Sequence, residues 1–154
     1  MQAFCAAEAA PAIAELLAWF RDHLRLPAKA VGVSATGLKR ADWNSFELVY
    51  QKGKPSILVE CWRNAGKNSP CQQTIDEELE ALQELPSARA RKKLREAFKR
   101  TRFIVCCRVD GDDGHAEAFV IRTLLDYFVD HGGAVIEVED EGFYSCSDLP
   151  LLSG

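Results

Sequence analysis

Hydrophobic and polar positions alternate with period two along Ser45–Arg63, SFELVYQKGKPSILVECWR, and this predicts two strands joined as a hairpin. Phe46, Leu48 and Tyr50 on the first arm share a face with Ile57, Val59 and Cys61 on the second. Ser45, Glu47, Val49 and Gln51 share the other face with Leu58, Glu60 and Trp62. Gly53 offers the positive φ that a tight turn needs. Pro55 lacks an N–H, which favours a four-residue loop from Lys52 to Pro55. That pairing sets Glu47 directly across from Glu60, with Cβ atoms about 4.5–5.5 Å apart.

Elsewhere the period switches between helix and strand. Pro11–Leu26 places Ile13, Leu16, Leu17, Phe20 and Leu24 on one helical face, and Pro27 stops it. Lys29–Ala35 is a short strand and Thr36–Asn44 a polar connection whose Asp42 lies within reach of the hairpin. After a loop over Arg63–Pro70, a helix runs from Thr74 to Leu85, with Thr74 and Glu77 in the spacing of a capping box. Pro86 ends it, and Ser87–Arg100 forms another helix with Ala90, Leu94, Ala97 and Phe98 inside. Arg102–Val109 is apolar on both alternating faces and reads as a central strand. A helix over His115–His131, with Asp112 or Asp113 as N-cap, then leads through Gly132-Gly133 to a strand at Ala134–Val138. This last strand–helix–strand unit predicts a right-handed parallel crossover. The fold class is α/β.

The 154 residues fit one domain, and no apolar run reaches the ~20 residues of a membrane helix. The first twenty residues lack the basic region of a signal peptide, so a cytoplasmic protein is expected. Its six cysteines, with no C-x-x-C pair, are then expected reduced. DGDDG at 110–114 misplaces the ligands of a calcium loop.

Net charge is −4, yet its distribution is strongly dipolar. Ser87–Arg108 holds nine Lys/Arg against one acid, and Val109–Gly154 one against eleven. The helix carrying Arg89, Arg91, Lys92, Lys93, Arg95, Lys99 and Arg100 is either a phosphate-binding surface or a solvated face that offsets the acidic helix before it. Glu137, Glu139, Asp140 and Glu141 admit a third use, as an acidic protein-interaction surface of an inhibitor or regulatory module; the same residues also suit a solvated strand end.

Two facing carboxylates repel unless the face is wet, one keeps a proton, or a cation lies between them. Mg²⁺ and Mn²⁺ are hard ions that take such oxygen ligands. A helix, a strand, a hairpin whose second arm carries Leu58-Val59-Glu60-Cys61, then helix and strand resembles the PD-(D/E)XK core, α-β-β-β-α-β with a mixed central sheet flanked by helices. More narrowly, SILVECWRN resembles the matching strand of Mrr-type restriction endonucleases and Holliday-junction resolvases.

The resemblance implies that Glu47 and Glu60 bind the metal, with Glu15 near the place of a further helical Glu. It implies DNA as the partner and metal-dependent phosphodiester hydrolysis as the activity. Trp62 stands where the family has its catalytic Lys, so the cation is relocated, Lys67 being the first candidate, or cleavage is lost. Arg63, Arg91, Lys92, Arg95 and Lys99 are the candidate DNA contacts. A domain without chemistry, binding DNA or protein and using Trp62 for stacking, is the alternative. A homodimer and a monomer are both open.

Overall fold

The computed structural model describes residues 1–109 and 114–144. The strands are β1 (Gln2–Cys5), β2 (Lys29–Val31), β3 (Ser45–Val49), β4 (Ile57–Arg63), β5 (Phe103–Val109), β6 (Val135–Val138) and β7 (Gly142–Tyr144). The helices are α1 (Ile13–Leu24), α2 (Ala35–Leu38), α3 (Pro70–Ala81), α4 (Ala88–Arg100) and α5 (Gly114–Gly132), and a 3-10 turn, Leu82–Glu84, follows α3. One seven-stranded sheet runs in the order β2-β3-β4-β5-β1-β6-β7. Helices pack on both of its faces.

Every hydrogen-bonded strand pair is antiparallel. This corrects the expected mixed sheet, and the cause is β1. The N-terminal strand, which carried no element in the sequence reading, inserts between β5 and β6. Each of those is antiparallel to β1, so they run parallel to one another, and the β5–α5–β6 connection remains a parallel crossover with one strand interposed. A four-residue strand beginning at the chain's second residue has too little length to announce itself by period.

Burial divides the sheet into a dry face and a half-dry one. On the first, Phe46, Leu48, Ile57, Val59, Val105 and Ile136 meet α1 and α5 in the main core. Trp19 of α1 fastens the two helices, stacking on His23 at 3.7 Å and meeting Tyr127 edge-on at 5.8 Å. On the second face Phe4, Ile104 and Val135 receive Ile75 of α3 together with Leu94 and Phe98 of α4. This smaller cluster covers one end of the sheet and leaves polar strand residues at the other.

Local chemistry explains where the elements differ from expectation. The strand at Lys29 stops at Val31 because Gly32 turns to φ +78°, after which Ser34 caps α2 through the Gly37 N–H at 3.0 Å. Helix α3 starts four residues before Thr74: Ser69 accepts from the Gln72 N–H at 3.2 Å and Pro70 takes the first turn. Thr74 lies inside the helix, its hydroxyl donating to the Pro70 carbonyl. Ser87 caps α4, accepting from the Ala90 N–H at 3.2 Å. The cap expected at Asp112 or Asp113 and the tail beyond Tyr144 lie outside the described residues. Among the described residues no helix is long and apolar enough to cross a membrane.

Candidate functional site

Glu47 and Glu60 do share a face of the sheet, but they do not face each other. The register pairs Ser45 with Glu60 and Glu47 with Leu58, two residues away from the expected pairing. The loop is longer than four residues, running from the end of β3 at Val49 to the start of β4 at Ile57, with Gly53 at φ +80° and Tyr50 only 3% exposed in the core. A two-residue shift preserves every face assignment and changes every partner. The two carboxylates are therefore diagonal neighbours, their Cα atoms about 7–8 Å apart.

Each has found something else. Glu47 is exposed and accepts a long 3.5 Å hydrogen bond from the Ser56 hydroxyl. Glu60, with 22% of its side chain exposed, lies 2.8 Å from the Arg108 guanidinium of β5. Because β4 and β5 are neighbours with Leu58 opposite Arg108, the Arg sits diagonally beside Glu60 on the same face. Arg108, rather than Arg63 or Lys67, is the cation at Glu60. Only the adjacency of β5 to β4 brings the two residues together.

The register extends this arrangement into a polar row across the sheet: Ser45, Glu60, Cys106, Gln2 and Glu137 stand side by side on five strands. Gln2 donates its side-chain amide to Glu137 Oε2. Burial pushes the Cys106 thiol up, against the pull of the N-terminal amine and Arg108 and with the help of Glu60 and Glu137, so it is protonated at neutral pH and is no thiolate nucleophile.

Glu78 of α3 stands beside the same row. Burial, then the neighbouring Glu137 and Glu77 charges, raise its carboxyl from an ordinary 4.5 to about 7. The folded protein therefore binds this proton more tightly than the unfolded chain does. The associated stability is full below about pH 4.5 and is lost as the pH rises through about 7. After discounting for solvent on a half-buried group, roughly 1 kcal/mol is at stake. Glu78→Gln is expected to raise the melting temperature by about 2–4 °C at pH 8 and to leave it nearly unchanged at pH 4. An equal shift at both pH values would remove the electrostatic explanation.

The other residues singled out in the sequence are dispersed. Glu15 lies on α1, which packs on the opposite face of the sheet from Glu60, and it is exposed. Asp42 is ion-paired with Arg40, whose guanidinium holds the Asp42 carboxyl below its usual range. Arg63 points to the α1 side, donating to the Ala41 carbonyl at 2.9 Å and to Asn44 Oδ1 at 3.3 Å. Lys67 is exposed in a loop organised by Asn64, which accepts from the Gly66 N–H at 3.2 Å and donates to Gln72 at 2.7 Å. Trp62 is half-buried among the residues packed under α3 and α4. It is a sheet-packing aromatic, not an open stacking platform.

As they stand these residues do not fit Mg²⁺ or Mn²⁺. The carboxylates are offset, a guanidinium already neutralises the inner one, and among the described residues no group of three or more His, Cys, Asp or Glu comes together as a metal site.

The basic helix is better preserved. Its Ala90, Leu94 and Phe98 are buried, while Arg89, Lys92, Lys93, Arg95, Lys99 and Arg100 are exposed. Arg91 is partly withdrawn, donating to the Leu85 carbonyl. The acidic residues of α3 form no ion pair with these cations; the described ion pairs join Arg40 to Asp42, Arg108 to Glu60 and Arg122 to Asp126.

Comparison with protein-family models, curated proteins and solved structures finds no match to this chain.

Proposed function

We propose that this protein binds nucleic acid through the phosphate backbone, using the exposed face of α4. The observation that carries this reading is the unpaired basic stripe. Arg89, Lys92, Arg95 and Lys99 follow one another at spacings of three, three and four, so they line one side of the helix. Over ten residues that stripe is about 15 Å long, several times the roughly 3.4 Å axial spacing of phosphates along one strand.

This is binding without base reading: lysines and arginines on an exposed helix face contact phosphates and carry no sequence information by themselves. The overall charge of −4 does not oppose it, because a partner at the helix meets the local field.

Plasmid retention at rising salt tests the reading, with and without Mg²⁺ or Mn²⁺. The expected result is retention whose log affinity falls against log salt with a slope of about −4, near −0.9 for each phosphate neutralised, and no cleavage. Cleavage in the metal-containing samples, abolished by Glu60→Ala, would restore the nuclease reading of Glu47 and Glu60. Neither retention nor cleavage would shift the case to a protein-interaction module.

A further inference from the structure

The basic stripe of α4 winds over the outer surface of the helix and leaves Lys93 and Arg100 out. At roughly 100° per residue, Lys92 and Glu96 fall on either side of the line opposite Leu94, the centre of the buried face formed with Ala90 and Phe98. They form the crest of the helix. Arg95 and Lys99 lie together on one flank, and Lys93 and Arg100 lie on the other, with Arg89 between that second flank and the crest. All of these residues are exposed, so the crest and both flanks stand open to solvent.

Charge is spread unevenly over this surface. Glu96 is the only acid of α4, and it stands four residues from Lys92, so the two charges offset each other along the crest. The flanks carry cations alone. Arg100 uses only its Nε within the protein, donating to the Glu96 carbonyl at 3.2 Å, and the terminal nitrogens of its guanidinium stay available. The net positive charge of the helix therefore runs as two rails with a balanced strip between them.

Two rails fit two rows of phosphate. A helix with its side chains is about 10–12 Å across, and the major groove of B-form DNA is about 12 Å wide, with a backbone along each wall. With the crest directed to the floor of that groove, Arg95 and Lys99 meet one backbone while Lys93 and Arg100 meet the other. Glu96 then faces base edges, away from the phosphates. A single strand has one row of phosphates and engages one flank at a time; laid along the crest, it meets a carboxylate. An A-form RNA duplex has a deep, narrow major groove closed to side chains.

We propose that α4 docks in the major groove of double-stranded DNA, with Lys93 and Arg100 as the second phosphate-contacting row and Glu96 as the residue that disfavours single strands. This rests on the reading of α4 as a backbone grip and names the nucleic acid that the grip takes. The contacts position the duplex without reporting its sequence.

Fluorescence anisotropy with the full chain, at about 0.1 M salt, compares a short DNA duplex, its single strand and an RNA duplex of the same sequence. The DNA duplex is expected to bind at least about tenfold more tightly than either of the others, since each additional neutralised phosphate contributes close to tenfold at that salt. Lys93→Gln combined with Arg100→Gln should remove this preference. On the duplex it should make the slope of log affinity against log salt shallower by about 2, and the single strand, which keeps the Arg95 and Lys99 flank, should hardly change. Glu96→Lys sets a cation where a single backbone can lie. Its slope should steepen by about 0.7 on the single strand and stay as it is on the duplex.

Equal affinity for the three probes, with each variant acting alike on all of them, overturns groove docking and leaves the backbone grip standing. Binding of none of the three removes the grip, and the docking with it. A preference for the DNA duplex that survives the loss of Lys93 and Arg100 overturns the docking as well, because it would come from another surface.

Discussion

Replacing Phe98 with alanine is expected to lower the unfolding free energy by about 3–5 kcal/mol. Phe98 is fully buried, meets the Phe4 ring at 4.9 Å and the Phe143 ring at 5.6 Å, and is the large side chain through which α4 grips the sheet. Phe4 lies on β1 and Phe143 on β7, so one substitution loosens the helix and the strands of the sheet's far half together. The second-face core has few other members, among them Ile75, Leu82, Leu94 and Ile104, and little capacity to collapse around the void. Against a typical total of about 5–15 kcal/mol this is a large fraction. Urea titration should show a lower midpoint with an unchanged slope. A loss below about 1 kcal/mol would mean that α4 is held by something other than this aromatic cluster.

The second large effect is expected in binding. Changing Lys92, Arg95 and Lys99 together to glutamine removes three cations from one stripe while leaving Arg91, which tethers the preceding loop, and the buried face untouched. If each contacts one phosphate, the slope of log affinity against log salt should become shallower by about 3, and affinity at low salt should fall by about a hundredfold or more. Stability should stay the same or rise slightly, since like charges three and four residues apart on a helix repel. An unchanged slope would show that nucleic acid, if bound, is bound elsewhere. A loss of affinity with no change of slope would point to disturbance of the fold.

Much of the architecture is legible in residue order. The alternation in Ser45–Arg63 assigns Phe46, Leu48, Tyr50, Ile57, Val59 and Cys61 to the buried face, and all six are buried. The helical period names the inward residues of α1 and α4 correctly, Phe20 and Phe98 among them. Gly53 has the positive φ expected of it. The basic stripe is likewise written in the sequence, because a helix turns spacing directly into a face.

The candidate carboxylate pair was legible only in part. Period two tells which side of a sheet Glu47 and Glu60 occupy but not which residues they oppose, since a shift of two leaves the pattern intact. That choice belongs to the tertiary structure, where the ladder runs on past Ser45 and the Cys61 N–H donates to the Asn44 carbonyl at 2.8 Å. The short strand at Gln2–Cys5 is the other hidden decision. Placed between β5 and β6, it makes the sheet antiparallel throughout the described residues and sets Gln2 between Cys106 and Glu137 in the polar row.

By itself, then, the sequence determined what is periodic: the sides of helices and strands, and the gathering of positive charge on one of them. Strand neighbours, register and the Arg108 partner of Glu60 belong to the tertiary structure. They depend on residues distant along the chain competing for the same hydrogen bonds and the same buried surface, and no local spacing records the result of that competition.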